Sequence, residues 1–243
     1  MQEALAFLPD IVRESKFHLV HFSNLFVFDL DHTLLRTNCS YRFGVFLYQQ
    51  RLVSRLKLTY ALLVYITHRC FNLPLHKLHQ KIFDMCFKNM EMSHLEKAVD
   101  SFLELNLQEM LDTHILKKLQ MIQKEGHYTL LLSNSPDFLV KSIANKLTFS
   151  EWAATCYQVG DHGRLTNIKF LLEGHTKADF TLNRAKQLNI SPSNIYAYSD
   201  SYLDLPLLKC VGKPIAVNPD RKLRQYSLTK GWEIVTTNTN IKP

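Results

Sequence analysis

A run of four apolar residues, LFVF at positions 25–28, ends directly at Asp29, with Asp31 two residues later. Four apolar residues without polar alternation are typical of a strand buried on both faces, as in a parallel sheet. Ligands of open α/β sheets bind beyond the carboxyl ends of such strands. Because residues two apart in an extended segment point the same way, both carboxylates are predicted to face one pocket. One carboxylate could attack phosphorus and the other act as general acid or base; a solvated Asp-rich turn is the alternative.

From residue 128 onwards, short apolar segments alternate with amphipathic helical ones, which is typical of βαβ units and a parallel sheet. We therefore predict an α/β fold with a Rossmann-like, doubly wound parallel sheet. Strands are predicted at residues 128–132, 195–198 and 214–217, with a hairpin of residues 155–159 and 165–170. Helices are predicted to end near Lys146, Leu188 and Lys230.

The segment 38–112 differs from the rest of the chain, because its apolar residues recur at helical spacing and glycine is nearly absent. It is predicted to be an all-helical insertion after the first strand. The predicted domains are therefore a catalytic core of residues 1–37 and 113–243 and a helical cap of residues 38–112. Residues 1–24 are predicted to form an amphipathic helix and a connector.

Further polar residues follow the other predicted strands. Ser133 ends one strand before a helix, and Lys177 lies in the first turn of another helix, where a cation is disfavoured unless it neutralises an anion. Asp200 ends a third strand, with Asp204 one turn later. Taken singly, each has an ordinary alternative role, as a helix cap or a solvated lysine. Together they are expected to converge at one edge of the sheet.

Composition narrows the class of protein. The protein has a net charge of +7, but its Lys and Arg residues are scattered and form no basic run. Nucleic acid is therefore not the expected partner. The five cysteines are far apart and include no C-x-x-C pair, which favours neither zinc nor disulfides and fits a cytoplasmic location. The amino terminus lacks the pattern of a signal peptide, and the apolar stretch 58–67 is too short to span a membrane.

In this order, the four motifs resemble those of the haloacid dehalogenase (HAD) superfamily of phosphatases. The segments LLLSNSPDFLVKSIANKL, GHTKADFTLNRA and AYSDSYLDLPLLKCVGKPIAVNPDRKLRQYSLTKGW are similar to the phosphoserine-phosphatase-like branch, subfamily IB, with a helical C1-type cap. The resemblance runs from Leu25 along nearly the full chain. It implies a phosphoric monoester hydrolase that uses Mg²⁺ and forms an aspartyl-phosphate.

The same resemblance implies a role for each site residue. Asp29 would be the nucleophile and Asp31 the general acid and base. Mg²⁺ would be held by Asp29, Asp200 and the backbone carbonyl of Asp31, consistent with its preference for oxygen ligands. The phosphate-binding residues would be Ser133, Asn134 and Lys177, and the supporting residues would be Thr33 and Asp204.

Two departures bear on the substrate. His32 stands where many relatives have Gly or Ser, and residues 34–38 lack the acidic residue with which phosphoserine phosphatases bind an amino group. The expected substrate is a small phosphate monoester. The alternative is a lipid phosphate such as phosphatidylglycerophosphate or lysophosphatidate, because Arg51, Arg55 and Lys57 beside an apolar stretch could attract an anionic inner membrane face. A phosphotransferase and a non-catalytic phospho-ligand binding protein are further alternatives.

Overall fold

The architecture is built on one twisted sheet. The computed structural model describes residues 22–71 and 73–237, so most of the predicted amino-terminal helix lies outside the described residues. Seven strands in the order β4-β3-β2-β1-β5-β6-β7 form the sheet, and β4 runs antiparallel to β3 while the other described neighbours are parallel. The strands are β1 (Leu25–Asp29), β2 (Tyr128–Pro136), β3 (Glu151–Val159), β4 (Leu165–Phe170), β5 (Ile195–Ser199), β6 (Lys213–Val217) and β7 (Glu233–Val235).

The helices of the described residues cover both faces of this sheet. Alternate residues of β1 pack on opposite sides: Phe26 and Phe28 belong to one apolar cluster, and Leu25 and Val27 to the other. This explains the unbroken apolar run, because neither face of β1 meets water. The helices are α1 (Cys39–Gln49), α2 (Arg55–Phe71), α3 (Leu75–Ile82), α4 (Met92–Met110), α5 (Thr113–Lys124), α6 (Asp137–Lys146), α7 (Gly174–Gln187), α8 (Leu205–Lys209) and α9 (Arg221–Lys230). The predicted α/β fold with a doubly wound, mostly parallel sheet is confirmed.

Between β1 and β2 the chain is helical, as predicted for residues 38–112. Helices α1 to α4 lie in this stretch, and a wide helical turn, Phe83–Phe87, separates α3 from α4. Their buried residues, among them Phe43, Leu47 and Phe102, join the same apolar cluster as Phe28 of the sheet. The division of the chain into a core and a cap at residues 38 and 112 stays a prediction.

The largest differences from the prediction concern strands β2, β3 and β7. Strand β2 continues through Ser133 to Pro136 instead of ending at Leu132, and β7 was not predicted. Strand β3 begins at Glu151, four residues before the predicted hairpin strand. The extensions follow from pairing: Ser133 pairs with Ala154 of β3, so a polar segment stays extended next to a buried neighbour.

His32 has a left-handed backbone, with φ of 60° and ψ of 0°. This conformation costs little for glycine and more for other residues, because only glycine lacks the Cβ that crowds the following carbonyl. The departure noted at position 32 therefore falls where the chain turns sharply between Asp31 and Thr33. Among residues 22–71 and 73–237, no helix has the length and apolar character needed to cross a membrane.

Candidate active site

The carboxyl ends of β1, β2 and β5 meet at one edge because β1 lies between the other two. Asp29 is level with Leu132 of β2, and Phe28 is level with Tyr198 of β5. The residues that follow β1 are therefore brought next to residues of β2 and β5 that lie more than a hundred positions further along the sequence. Asp29, Asp31, Asn134, Lys177, Asp200 and Asp204 line one cavity of about 680 Å³.

Lys177 lies at the centre of this edge and is 1% exposed. Its Nζ donates to Asp29 Oδ1 at 2.7 Å and to Asp204 Oδ2 at 2.9 Å. Asp204 Oδ2 also accepts from the Ser199 hydroxyl at 2.8 Å, which fixes the carboxylate from its other side. Lys177 is thus not a solvated lysine, and its ammonium group lies between the carboxylates of Asp29 and Asp204.

Gly174 allows Lys177 to reach this position. A Cβ at Gly174 would lie 2.1 Å from the carbonyl oxygen of Leu203, so only glycine permits α7 to approach the turn before α8 this closely. Lys177 follows one turn later on α7, and Asp204 lies next to Leu203 on the turn. The close contact therefore sets the distance between the ammonium group and its carboxylate partner.

Asp31 is held apart from the lysine by two donors of its own. Its Oδ1 accepts from the backbone N–H of Cys39 at 2.6 Å, and its Oδ2 accepts from the Ser135 hydroxyl at 2.7 Å. Cys39 is the first residue of α1, so the carboxylate lies at a helix amino terminus, which stabilises negative charge. Asp29 and Asp31 consequently have different surroundings: a buried ammonium group contacts Asp29, whereas neutral donors contact Asp31.

Replacing Ser135 by Ala is expected to lower kcat about tenfold with little change in KM. The variant removes one charge-assisted hydrogen bond from Asp31, a bond worth about 1.5–3 kcal/mol. Steady-state kinetics on p-nitrophenyl phosphate measure both constants. Ser40→Ala is the matched control, since the Ser40 hydroxyl contacts Ser135 at 2.7 Å but not Asp31, and it should change kcat less than threefold. An unchanged kcat in Ser135→Ala would contradict the inference that the Ser135 hydroxyl holds Asp31 in place for the reaction.

The remaining predicted residues occupy this edge in different ways. Thr33 is buried and its hydroxyl donates to Asp200 Oδ1 at 3.3 Å. Ser133 does not cap α6, whose N-cap is Pro136; the Ser133 hydroxyl accepts from the Ser135 N–H at 3.1 Å. Asn134 lines the cavity directly.

Two contributors were missed from the sequence, namely Ser135 and Ser199. The available signal for Ser135 was strand alternation, because residues 133 and 135 lie two apart in an extended segment. Ser199 immediately precedes Asp200 at the end of a strand, where capping is the usual role of a serine.

The carboxylates exceed the positive charge that faces them. Burial raises the pKa of Asp29 to about 7 although the Lys177 charge opposes the shift. Removal from water, then the charges of Asp29 and Asp204, raise the pKa of Asp200 well above its usual range. Burial alone would lower the pKa of Lys177, but the charges of Asp204 and Asp29 raise it above the ordinary value. Three carboxylates around one ammonium group leave a formal charge of minus two, which a divalent cation would neutralise.

The donor set fits Mg²⁺ better than a transition metal. Within the described part of the chain, no group of three or more His, Cys, Asp or Glu side chains is arranged to hold a metal ion. Mg²⁺ does not need such a group, because it is commonly bound by one or two carboxylates, water and substrate phosphate. Asp29 and Asp200 could supply the carboxylates, and the backbone carbonyl of Asp31 a third oxygen.

Comparison with known proteins agrees with this geometry. A family model for haloacid dehalogenase-like hydrolases matches residues 26–209. A protein of Streptomyces azureus named inhibition of morphological differentiation protein is 29% identical over 216 residues, covering 86% of this chain and 76% of its own. A histidinol-phosphatase of Neisseria meningitidis is 26% identical over 227 residues, covering 87% of this chain and 98% of its own.

Solved structures share the fold. A Bordetella pertussis protein of unknown function superposes with a TM-score of 0.78 at 21% identity, over 88% of this chain and 98% of its own. A substrate-bound phosphoserine phosphatase superposes with a TM-score of 0.67 at 18% identity, over 88% of this chain and 92% of its own. The predicted phosphoserine-phosphatase-like fold is confirmed. Because the family model spans well over half of the sequence and includes the site residues of all four motifs that meet at this edge, the chain belongs to the haloacid dehalogenase-like hydrolases.

Proposed function

We propose that this hydrolase is a Mg²⁺-dependent phosphatase that cleaves a phosphate monoester through an aspartyl-phosphate on Asp29. The observation that carries the proposal is the different environment of the two carboxylates. Asp29 is paired with the buried Lys177, whereas Asp31 is held by Cys39 N–H and the Ser135 hydroxyl. Relatives named as phosphatases of small phosphorylated compounds support the reaction class.

In the first step, a carboxylate oxygen of Asp29 attacks phosphorus and the bond from phosphorus to the ester oxygen breaks. Asp31 gives its proton to that oxygen, so an alcohol leaves rather than an alkoxide. Lys177 Nζ, 2.7 Å from Asp29 Oδ1, faces the oxygens that carry the transferred charge. Ser133 and Asn134 are the proposed further donors to the phosphate.

In the second step, Asp31 takes a proton from water while the water oxygen attacks phosphorus. The bond between Asp29 and phosphorus breaks, which releases phosphate and restores the Asp29 carboxylate. Asp31 then carries the proton needed for the next cycle, so one residue acts as acid and as base.

Mg²⁺, when bound by Asp29, Asp200 and the Asp31 carbonyl, would supply positive charge that lets a phosphate dianion approach these carboxylates. Thr33 orients the Asp200 carboxylate through its hydroxyl, at 3.3 Å. Asp204 lies on the far side of Lys177 and fixes the ammonium group rather than the metal.

Removal of divalent cations by EDTA is expected to lower phosphatase activity at least a hundredfold, with recovery on addition of excess Mg²⁺. The physical reason is the uncompensated negative charge, which would repel the substrate phosphate. Turnover of p-nitrophenyl phosphate before and after chelation measures the effect. Full activity in the chelated protein would contradict the metal proposal.

Mg²⁺ is also expected to stabilise the fold, and more at pH 8 than at pH 5. The folded-state pKa of Asp29 is raised to about 7, so the metal-free protein loses stability as the pH rises from about 4 to 7. At one hundred times its Kd, Mg²⁺ adds about 2.7 kcal/mol, which raises Tm by roughly 5–10 °C in a domain of this size. Calorimetry at both pH values tests this; an equal shift at both would contradict it.

A phosphotransferase and a non-catalytic phospho-ligand binding protein remain the alternatives. Product analysis with a competing alcohol separates hydrolysis from transfer, since only transfer forms a new phosphate ester. Absence of phosphate release from any phosphorylated compound with Mg²⁺ present would support the binding protein.

A further inference from the structure

The cavity at the carboxylates continues far beyond the space that a phosphate needs. It extends among α1, α2 and α3, where its wall is formed by Leu47, Val53, Leu58, Ala61, Leu78 and Phe87. Its volume of about 680 Å³ lies within the roughly 300–1,000 Å³ typical of sites for drug-sized ligands. An amino-acid phosphate would leave the apolar part of this space unfilled.

Among the described residues, the helical side of the cavity wall carries no carboxylate that could pair with an ammonium group. Residues 32–83 contain eight Lys or Arg residues and no Asp or Glu. Arg36 and Arg42 also line the cavity. A substrate with an amino group next to its phosphate ester would therefore meet positive charge and hydrocarbon, both of which disfavour it.

Two features suit a substrate whose polar end is at the carboxylates and whose other end is hydrocarbon. Thr37 lines the cavity, and its buried hydroxyl oxygen has no hydrogen-bond partner within the described structure. Leu62 and Tyr65 of α2 line the cavity and are each 40% exposed, so an apolar chain could enter along this helix.

We propose that the substrate is a phosphate monoester carrying a long hydrocarbon chain, and that this chain lies in the apolar cavity between α1, α2 and α3. The proposal rests on the proposed phosphatase function and assigns its substrate class. Burial of each methylene group in such a cavity contributes binding energy, so kcat/KM is expected to increase with the length of the hydrocarbon chain.

A series of n-alkyl phosphates from ethyl to dodecyl, kept below micelle-forming concentrations, tests the proposal on the full chain with Mg²⁺. We expect kcat/KM to rise roughly two- to fourfold per methylene, where fourfold corresponds to about 0.8 kcal/mol, and to level off once the cavity is filled. A decyl to ethyl ratio below threefold would overturn the proposal. Turnover of ethyl phosphate separately tests the phosphatase function, so the two failures are distinguishable.

Gly44 of α1 offers a way to block the cavity. A Cβ at Gly44 would meet only the Leu58 Cδ1 atom, at 3.7 Å, which is ordinary van der Waals contact. Gly44→Ala should therefore keep the preference for decyl over ethyl phosphate. Gly44→Phe should reduce that preference at least tenfold, because the ring would occupy the space assigned to the chain. An unchanged preference in a folded Gly44→Phe protein would overturn the proposal.

A pair of charged variants on α2 provides an independent test that does not need a bulky side chain. Leu58→Asp places a carboxylate in the cavity wall, whereas Leu56→Asp places it on a residue that is 83% exposed and outside the wall. The decyl to ethyl preference should fall at least tenfold in Leu58→Asp and persist in Leu56→Asp. Equal effects of the two substitutions would contradict the assigned position of the chain.

The hydrocarbon chain of the substrate could be that of an acylglycerol phosphate or that of a branched prenyl phosphate. Both are phosphate monoesters with a long hydrocarbon chain. A comparison of the two kinds of substrate at equal carbon number distinguishes them. Each is expected to exceed glycerol phosphate at least tenfold in kcat/KM, and the faster of the two identifies the class. Failure of both to exceed glycerol phosphate would overturn the proposal.

Discussion

Replacing Asp29 by Asn is expected to lower kcat/KM at least about a thousandfold while the protein stays folded. An amide oxygen is a far weaker nucleophile than a carboxylate, and the loss of a catalytic nucleophile commonly costs several powers of ten. The substitution is nearly isosteric and removes one charge from a cluster with excess negative charge, so Tm should change little. Kinetics on p-nitrophenyl phosphate with Mg²⁺ and a thermal melt measure the two effects.

Asp161→Asn is the matched control, because Asp161 is an exposed residue in the turn between β3 and β4. It should retain activity within about twofold, because substitutions at exposed positions away from buried or catalytic groups have small effects. Incubation of the wild-type protein with substrate, followed by rapid acid quenching, should trap phosphate on the protein, and the Asp29→Asn protein should trap none. Retention of activity by the Asn variant would exclude Asp29 as the nucleophile.

The Lys177→Met variant is expected to lose activity at least a thousandfold and also about 3–5 kcal/mol of unfolding free energy. Lys177 is buried between Asp29 and Asp204, and removal of one partner leaves buried carboxylates uncompensated. In a domain of this size the loss lowers Tm by roughly 6–20 °C. The stability deficit should be smaller at pH 5 than at pH 8, because burial raises the pKa of Asp29 to about 7 and a protonated Asp29 no longer repels Asp204.

Lys186→Met on the same helix is the control, since Lys186 is exposed. It should change neither Tm nor activity appreciably. The double variant Asp29→Asn, Lys177→Met removes one of the two unpaired carboxylates as well and should recover part of the lost stability. Equal Tm values for Lys177→Met and Lys186→Met would contradict the buried ion-pair arrangement.

Local sequence pattern was sufficient to predict the elements that carry the site. The run LFVF at residues 25–28 predicts a buried strand, and in the structure β1 lies between β2 and β5 with both of its faces covered. Periodicity also predicted helices ending near Lys146 and Lys230, where α6 and α9 end. These properties depend on neighbours along the chain, which a sequence displays directly.

Local sequence pattern was insufficient where strand pairing with residues distant in sequence overrides the local conformational preference. The polar segment after Leu132 looked like a loop leading into a helix, yet it stays in strand β2 beside β3. The short strand β7 exists because Ala216 of β6 pairs with Ile234, and three residues alone carry no strand signal.

The sequence by itself determined where the apolar part of each central strand lies and which reactive side chains come next, since these depend on residues close in sequence. Tertiary structure decided that Lys177 is buried between Asp29 and Asp204, and that Ser135 and the Cys39 N–H hold Asp31. It also decided that apolar residues of three helices enclose one cavity. Such contacts join residues up to 148 positions apart, and their geometry is set by strand order and helix packing rather than by any local pattern.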